Sequence, residues 1–161
     1  MAESTPVPPT AEKKTFTGSC HCGSIKYTAS LTLTDPPTAG RCNCTICLKQ
    51  GFTGIRIPRE DFTLLSPASL SSSPVRDYQF RSRDVHKYFC GTCGVHVCGE
   101  GSFEFPAGSG TVHEFFSINA LSLDQPQEGL DLSTFKMRYV DGRNDNWAAG
   151  MRDAPWPGGA V

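Results

Sequence analysis

The positions of the cysteines constrain the fold of this chain more than any other feature of its 161 residues. Eight cysteines are present, and they form a Cys-x-Cys pair, a triplet, a Cys-x-x-Cys pair and one further residue: Cys20 and Cys22; Cys42, Cys44 and Cys47; Cys90 and Cys93; and Cys98. We call the two pairs together the four-cysteine group, and the middle motif the cysteine triplet. Filling a core needs only small apolar side chains, so thiols at this density indicate a chemical role.

The spacing of these thiols predicts two zinc sites of different kinds, because thiolate is a soft ligand that zinc prefers. The four-cysteine group supplies all four ligands of a closed tetrahedral site, which is typical of structural zinc. The cysteine triplet supplies three ligands and leaves a fourth position for substrate, which is typical of catalytic zinc. We therefore predict an enzyme with two Zn²⁺ per chain and its chemistry at the triplet. Iron or copper can load the same sulfurs.

Eight cysteines also fit a framework of disulfides in a secreted protein. The first ten residues, however, contain no apolar core of a signal peptide, and no apolar run approaches the length of a membrane span. We therefore expect a cytoplasmic, reducing location with no membrane association. In that compartment, reduced and metal-bound thiols are favoured over disulfides.

The charge and composition of the chain narrow its class further. A formal net charge of −1 gives no basic surface for nucleic acid, so we expect no nucleic-acid partner. Sixteen glycines and twelve prolines indicate many turns and favour strands over long helices. The chain length suits one domain, which we place at residues 15–143. We expect a disordered tail at residues 1–14 and an irregular tail at residues 144–161 that lies over the domain surface.

Apolar residues alternate with polar ones along several segments, which predicts an all-β fold or nearly so. The predicted strands include residues 25–33, 52–57, 62–65, 95–97, 112–118 and 135–139, and a hairpin covers residues 78–89. Residues 102–110 are glycine-rich and are predicted to form a loop. The Cys-x-x-Cys spacing of the triplet requires the chain to curl, so a turn or short helix is predicted from Thr45 to Gln50, ended by Gly51.

These motifs resemble those of the glutathione-dependent formaldehyde-activating enzyme family, which also includes centromere protein V. The segments that carry the resemblance are residues 18–23, 42–47 with Gly51, 89–94, 117–119 and 140–143. The resemblance extends from about Phe16 to Trp147. All seven expected cysteines are present in order, which makes the similarity far more specific than a lone Cys-x-x-Cys.

The resemblance implies a β-tent fold of packed antiparallel sheets pinned by zinc. It implies that the four-cysteine group holds a structural zinc and that the cysteine triplet holds a catalytic one, which agrees with the spacing. The implied activity is that of a carbon–sulfur lyase that joins formaldehyde and glutathione into S-hydroxymethylglutathione. The implied partner is a small thiol substrate, glutathione or its adduct.

Several other residues are candidates for the site. Glutathione carries two carboxylates, and the candidate cations are Arg41, Lys49 and Arg56 near the triplet in sequence, with Arg138 and Arg143 on or after the last strand, unless they are solvated surface charges. His21 and His96 flank the metal motifs and are candidate proton carriers, or else partly exposed structural residues. Cys98 is either a buried small hydrophobe or a fourth ligand of the triplet's metal. Phe103 and Phe105 either line the mouth of a pocket or anchor a loop.

Two other functions are compatible with the motifs. The first is a non-catalytic, zinc-stabilised β module that binds a protein or chromatin. The second is a methionine sulfoxide reductase, which requires a redox-active cysteine outside the zinc ligands, and only Cys98 is available for that role.

Overall fold

Two β-sheets form the structure, a computed structural model that describes residues 12–80 and 83–160. The strands are β1 (Lys13–Ser19), β2 (Lys26–Thr32), β3 (Thr38–Cys42), β4 (Thr53–Arg56), β5 (Phe62–Ser66), β6 (Val75–Phe80), β7 (Val85–Cys90), β8 (His96–Glu104), β9 (Val112–Asn119) and β10 (Lys136–Val140). A single-turn helix, α1, spans Thr45–Gln50, and 3₁₀ turns lie at Arg59–Asp61, Ala120–Ser122, Leu132–Thr134 and Trp147–Ala149. The predicted, mainly β fold is confirmed.

The smaller sheet has the strand order β1-β2-β5, and the larger has the order β10-β3-β4-β9-β8-β7-β6. Neighbouring strands are antiparallel except for β10 and β3, which run parallel with Met137 opposite Ala39. The sheets are therefore antiparallel as predicted, apart from this one pairing. It places the end of the last strand beside the end of the strand that carries Cys42.

The hydrophobic core lies between the two sheets. Tyr27 of β2 and Phe62 of β5 stack with their ring centroids 5.1 Å apart, and Phe62 lies 4.9 Å from Phe116 of β9. This aromatic row crosses from the smaller sheet to the larger one. The Tyr27 hydroxyl is fully buried and is 2.8 Å from the Ser122 hydroxyl, so its polar atom is satisfied inside the core.

The larger sheet has a second face, which points away from the core. Side chains alternate along a strand, so Phe116 and Ile118 enter the core while Phe115 and Ser117 of the same strand lie on the opposite face. This second face carries the cysteine triplet and positions the site described below.

Helix α1 follows the local sequence closely. It begins immediately after Cys44 and ends at Gly51, which has a left-handed φ of 61°. Glycine adopts this conformation without the steric penalty of a side chain, so it terminates the helix after Gln50, as predicted.

Two sequence-based boundaries require correction. Residues 102–104 belong to strand β8, which pairs with β9 as far as Glu104 opposite Val112, so the loop predicted at residues 102–110 begins only at Phe105. The apolar face of Phe103, which packs beside Phe115, supports this longer strand. Lys13 and Lys14 lie in β1 and not in the predicted tail, and the rest of that tail, residues 1–11, lies outside the described residues.

The segment after β10 runs back along the edge of the larger sheet. Backbone hydrogen bonds between Tyr139 and Arg152 attach it to β10, and the Trp156 indole N–H donates to the Tyr139 carbonyl at 3.3 Å. The Arg152 guanidinium also lies 3.9 Å from the Trp156 ring. Within residues 12–80 and 83–160, no helix has the length and apolar character needed to traverse a bilayer.

Candidate metal centres and cavity

The four-cysteine group joins the two sheets. Cys20 and Cys22 lie in the turn between β1 and β2, whereas Cys90 ends β7 and Cys93 lies in the turn before β8. Their four sulfurs all lie within 4.8 Å of one another, and the Cys22 Sγ is 3.5 Å from the Cys20 Sγ and 3.6 Å from the Cys90 Sγ. This geometry suits a closed site for a soft metal ion, as the spacing predicted.

Backbone N–H groups point at two of these sulfurs. The amide of Ile25 donates to the Cys20 Sγ at 3.3 Å, and the amide of Thr92 donates to the Cys90 Sγ at 3.4 Å. Burial raises the pKa of the Cys20 thiol to about 12, whereas hydrogen bonding with the side chain and backbone of Ser24 lowers the pKa of Cys22 to about 6. The amides offset part of the negative charge that four thiolates bring together.

The cysteine triplet is assembled by the end of β3 and by helix α1. Cys42 is the last residue of β3, Cys44 caps the helix, and Cys47 lies one helical turn later. The three sulfurs lie within 4.8 Å of one another, and the Cys44 amide donates to the Cys42 Sγ at 3.4 Å. Three soft donors on one short segment fit a metal ion and leave the side facing the cavity to other ligands.

Hydrogen bonds among the three thiols shift their pKa values in opposite directions. The Cys42 and Cys47 thiols stabilise the Cys44 thiolate, so the pKa of Cys44 lies far below the usual thiol value. Cys44 in turn raises the pKa of Cys42, and the pKa of Cys47 is raised by Cys42 and Cys44. Metal binding requires deprotonated cysteines, so three thiols this close together can exchange their protons for a cation.

A buried polar network fixes the triplet segment to the chain after β10. The Asn43 amide donates to the Asp141 carboxylate at 2.7 Å, and its side-chain oxygen accepts from the Arg143 backbone N–H at 2.9 Å. Asn144 donates to both Asp141 oxygens at 3.0 Å. Gly142 passes so close to the Cys42 sulfur that a Cβ at this position would collide with it. The side of the triplet that contacts Gly142 is thus packed against the backbone.

The triplet forms one end of a cavity of about 540 Å³ on the second face of the larger sheet. Every strand of that sheet contributes to the wall: Val140 of β10, Cys42 of β3, Gly54 of β4, Phe115 of β9, Phe103 of β8, Lys87 of β7 and Phe80 of β6. Trp147 and Met151 of the C-terminal segment also line the cavity. Volumes of this size are typical of small-molecule sites.

Lys87 is a site residue that the sequence analysis missed. Its side chain is only 6% exposed, its Nζ lies 4.0 Å from the Cys47 Sγ and 4.3 Å from the centre of the Phe52 ring. No carboxylate of the described residues lies within ion-pair distance of it. The absence of a side chain at Gly99 makes room for it, since a Cβ there would lie 3.1 Å from the Lys87 Cδ. The alternation of side chains along β7 is the signal that could have placed Lys87 on the face of the sheet opposite to that of Tyr88, which enters the core.

The predicted cations divide into two sets. Lys49 and Arg56 line the cavity, and Arg56 lies 5.4 Å from the centre of the Phe115 ring. The other three are engaged outside it: Arg41 with the Thr53 hydroxyl at 3.3 Å, Arg138 with Asp153 at 3.2 Å, and Arg143 with the Asn43 carbonyl at 3.2 Å.

The remaining candidates are placed as follows. Cys98 is fully buried in the core and belongs to neither cysteine group, which matches its interpretation as a small hydrophobe. Burial raises the pKa of its thiol, which disfavours the thiolate that a redox nucleophile needs.

Phe103 lines the cavity, whereas Phe105 is not among the residues that line it. His21 is exposed beside the four-cysteine group.

His96 is partly buried and also lies outside the cavity lining. Burial and then the charge of Lys87 lower its pKa, and among the described residues its Nδ1 has no hydrogen-bond partner. The structure therefore brings neither predicted histidine into the cavity.

Comparisons with known proteins agree with this arrangement. The family model described as "Glutathione-dependent formaldehyde-activating enzyme" matches residues 15–130, which include all eight cysteines. The chain belongs to this family. A crystal structure of a Rhodobacter sphaeroides protein is similar to it in fold, with a TM-score of 0.53 and 24% identity over 73% of this chain and 92% of that one. No curated protein is significantly similar in sequence.

The match to the formaldehyde-activating enzyme family ends at residue 130, before the segment that completes the cavity. Gly142, Trp147 and Met151 all follow that point. The two cysteine groups thus lie within the matched residues, while part of the cavity wall comes from outside them.

Proposed function

We propose that this protein is a zinc-dependent carbon–sulfur lyase that joins a thiol such as glutathione to an aldehyde such as formaldehyde. The observation that carries the proposal is the difference between the two cysteine groups. One has four sulfurs that together make a complete tetrahedral donor set, whereas the other has only three sulfurs, at the wall of a cavity of about 540 Å³. Membership of the formaldehyde-activating family supports the same chemistry.

In this proposal Cys42, Cys44 and Cys47 hold the catalytic zinc, and Cys20, Cys22, Cys90 and Cys93 hold the structural one. A bound zinc supplies a lowered pKa for a coordinated thiol and Lewis acidity toward an oxygen atom. Three thiolates give such a centre a formal charge of −1, which reduces its Lewis acidity and favours a nucleophilic substrate thiolate. The donor set therefore suits carbon–sulfur bond chemistry more than hydrolysis.

The reaction needs no redox cofactor. The thiolate sulfur attacks the carbonyl carbon, the C–S bond forms, and the π electrons of the C=O bond move to oxygen. The proton released by the thiol ends on that oxygen, which gives the hydroxymethyl thioether. The reverse reaction breaks the same C–S bond and restores thiol and aldehyde.

Lys87 is the protein group best placed to assist this step. Its buried ammonium faces the cavity beside Cys47, where it stabilises negative charge on sulfur or on the developing alkoxide. Lys49 and Arg56 are nearer to solvent and suit the carboxylates of glutathione. In this arrangement the carboxylates of an anionic thiol bind at the rim of the cavity. The reaction takes place at the triplet, at one end of the cavity.

The test combines metal content with turnover in matched cysteine variants. Purified protein should contain two zinc ions per chain, as measured by elemental mass spectrometry. Cys44→Ser should lose one zinc and abolish the protein-dependent acceleration of formaldehyde–glutathione exchange seen by NMR, because it removes a triplet ligand without touching the core. Cys98→Ala is the matched control, since it removes a thiol outside both groups and should retain both zinc ions.

Two outcomes would contradict the proposal. One is a single zinc in the unmodified protein, and the other is undiminished exchange in Cys44→Ser. Two zinc ions with no response to any thiol would favour the alternative of a non-catalytic, metal-stabilised β module.

A further inference from the structure

The cavity beside the triplet is more apolar than the hydroxymethyl group of a formaldehyde adduct requires. Six aromatic side chains contribute to its wall: Phe52, Tyr78, Phe80, Phe103, Phe115 and Trp147. A hydroxymethyl group has one carbon and gains little from such a surface, because the benefit of apolar burial scales with the area removed from water. The wall is therefore fitted to a bulkier substituent.

The charged residues of the cavity all have the same sign. Lys49, Arg56 and Lys87 line it, and no aspartate or glutamate of the described residues does. Such a lining attracts an anionic ligand, and glutathione, with two carboxylates and one ammonium, satisfies that requirement. The aromatic surface then remains for the part of the adduct that comes from the aldehyde.

The aromatic surface extends well beyond the triplet. Tyr78 and Phe80 lie on β6, at the opposite edge of the larger sheet, with four strands between them and the β3 strand that carries Cys42. Trp147 bridges part of this distance, since its ring centroid lies 5.7 Å from that of Phe103. Met151 covers the glycine of β3, with its Cε 3.4 Å from the position of a Gly40 Cβ.

We propose that the cavity selects thiol adducts whose aldehyde-derived part carries an aromatic or similarly bulky apolar group, with Trp147 and Met151 as specificity-determining residues. The inference rests on the proposed function, because it names the substrate class of the same site. The reaction is balanced as before: the C–S bond forms, the C=O π bond opens, and the thiol proton passes to oxygen. Only the substituent on the carbonyl carbon differs.

Both specificity residues come from the segment that follows the family match. The cysteine groups, Lys87 and the sheet lie within the matched residues 15–130, so they supply the shared chemistry. The selectivity for an apolar group is thereby assigned to a part of the chain that can differ without altering the metal ligands.

The test uses two stable thioethers as probes, S-benzylglutathione and S-methylglutathione, which imitate the aromatic and the formaldehyde adducts. Isothermal titration calorimetry on the zinc-loaded protein should give S-benzylglutathione an affinity about 10-fold or more above that of S-methylglutathione, as expected for burial of one phenyl ring. In a Trp156→Phe background Trp147 is the remaining tryptophan, and S-benzylglutathione should quench its fluorescence.

Trp147→Ala should lower the affinity for S-benzylglutathione by about 10-fold and that for S-methylglutathione by less than about 3-fold. Val112→Ala is the matched control, because Val112 is an exposed residue of β9 outside the cavity and its loss should change neither affinity.

Equal affinities, tighter binding of S-methylglutathione, or no binding of either probe would overturn the inference. Retention of the full preference in Trp147→Ala would overturn the assignment to Trp147. The proposed function fails by a different result, the absence of C–S exchange, which leaves the order of the two binding affinities unaffected. The two failures are therefore distinguishable.

Discussion

At the scale of single residues, the unusual side chain is the buried cation of the cavity. A lysine that is 6% exposed normally has a carboxylate partner, because burial of an unpaired charge is costly. Lys87 has instead a thiol at 4.0 Å and an aromatic ring at 4.3 Å. Such an arrangement indicates that its charge serves an anion at the site and not the stability of the fold.

Replacing Lys87 with methionine tests this role, because methionine keeps the apolar stem and removes the charge. Lys87→Met should lower the affinity of the triplet for zinc by about 10- to 100-fold, since a charge-assisted contact contributes roughly 1.5–3 kcal/mol. The free energy of unfolding should stay the same or rise, because a buried charge has been removed. Competition with a chelator measures the affinity, and urea unfolding measures the stability.

Lys87→Arg should restore part of the zinc affinity, and Lys14→Met, which removes an exposed lysine of β1, should leave it unchanged. If Lys87→Met binds zinc as tightly as the unmodified protein but unfolds more easily, the residue is structural and the assignment fails.

At the scale of elements, the site depends on the parallel pairing of β10 with β3. This pairing brings the segment after Val140 against the triplet, where Asp141 accepts hydrogen bonds from Asn43 and Asn144. Because Asp141 is 4% exposed and fixed by these donors, it connects two segments that are about a hundred residues apart in the sequence. We call these hydrogen bonds of Asp141 with Asn43 and Asn144 the Asp141 clamp, and it depends on the tertiary structure.

The pH dependence of stability should reveal this clamp. Hydrogen bonds from Asn144 and then Asn43 hold the pKa of Asp141 below its ordinary value of 3.8. A carboxyl with a depressed folded-state pKa contributes stability in full above the unfolded value, and loses it as the pH falls through the folded value. Asp141→Asn should thus be less stable than the unmodified protein at neutral pH, and the difference should shrink once the pH falls below 3.8.

Urea unfolding of both proteins across this pH range measures the difference. Asp153→Asn provides the matched control, because it removes an exposed carboxylate that pairs with Lys136 and Arg138 at the surface. A stability difference for Asp141→Asn that persists undiminished in acid would mean that the ionised carboxylate is not its cause.

Local patterns predicted most of these elements. The alternation of Ile25 to Leu33 gave β2, and the Cys-x-x-Cys spacing with Gly51 gave α1 with its observed boundaries. The role of Lys87 could not be predicted, because alternation along β7 identifies two faces without showing which is covered. The place of Trp147 could not be predicted either, since an irregular segment carries no period from which its contacts follow.

At the scale of the whole molecule, the four-cysteine group links the two sheets through a small number of residues. Two of its sulfurs precede β2 of the smaller sheet, and the other two belong to Cys90, which ends β7 of the larger sheet, and to Cys93, which precedes β8. A metal ion held there would fasten the sheets at one end of the core that Tyr27, Phe62 and Phe116 form. Its contribution is therefore to the free energy of folding.

Cys90→Ser should accordingly lower the melting temperature by roughly 10 °C or more, because structural zinc contributes directly to folding and each kcal/mol corresponds to roughly 2–4 °C in a domain of this size. Hydrogen exchange should accelerate in β2 and in the turn before β8. Cys44→Ser serves as the comparison, since its cysteine belongs to the group outside the core. Equal destabilisation by both substitutions would refute the division into a structural and a reactive site.

The two-faced larger sheet has a consequence for how such a protein can change over generations. Neighbouring positions of one strand, such as Phe115 and Phe116, belong to the cavity and to the core respectively. Selection on the first can therefore act almost independently of selection on the second. A lineage can acquire a new substrate by substitutions at every other position of a strand and in a short terminal segment, while its foldability is inherited intact.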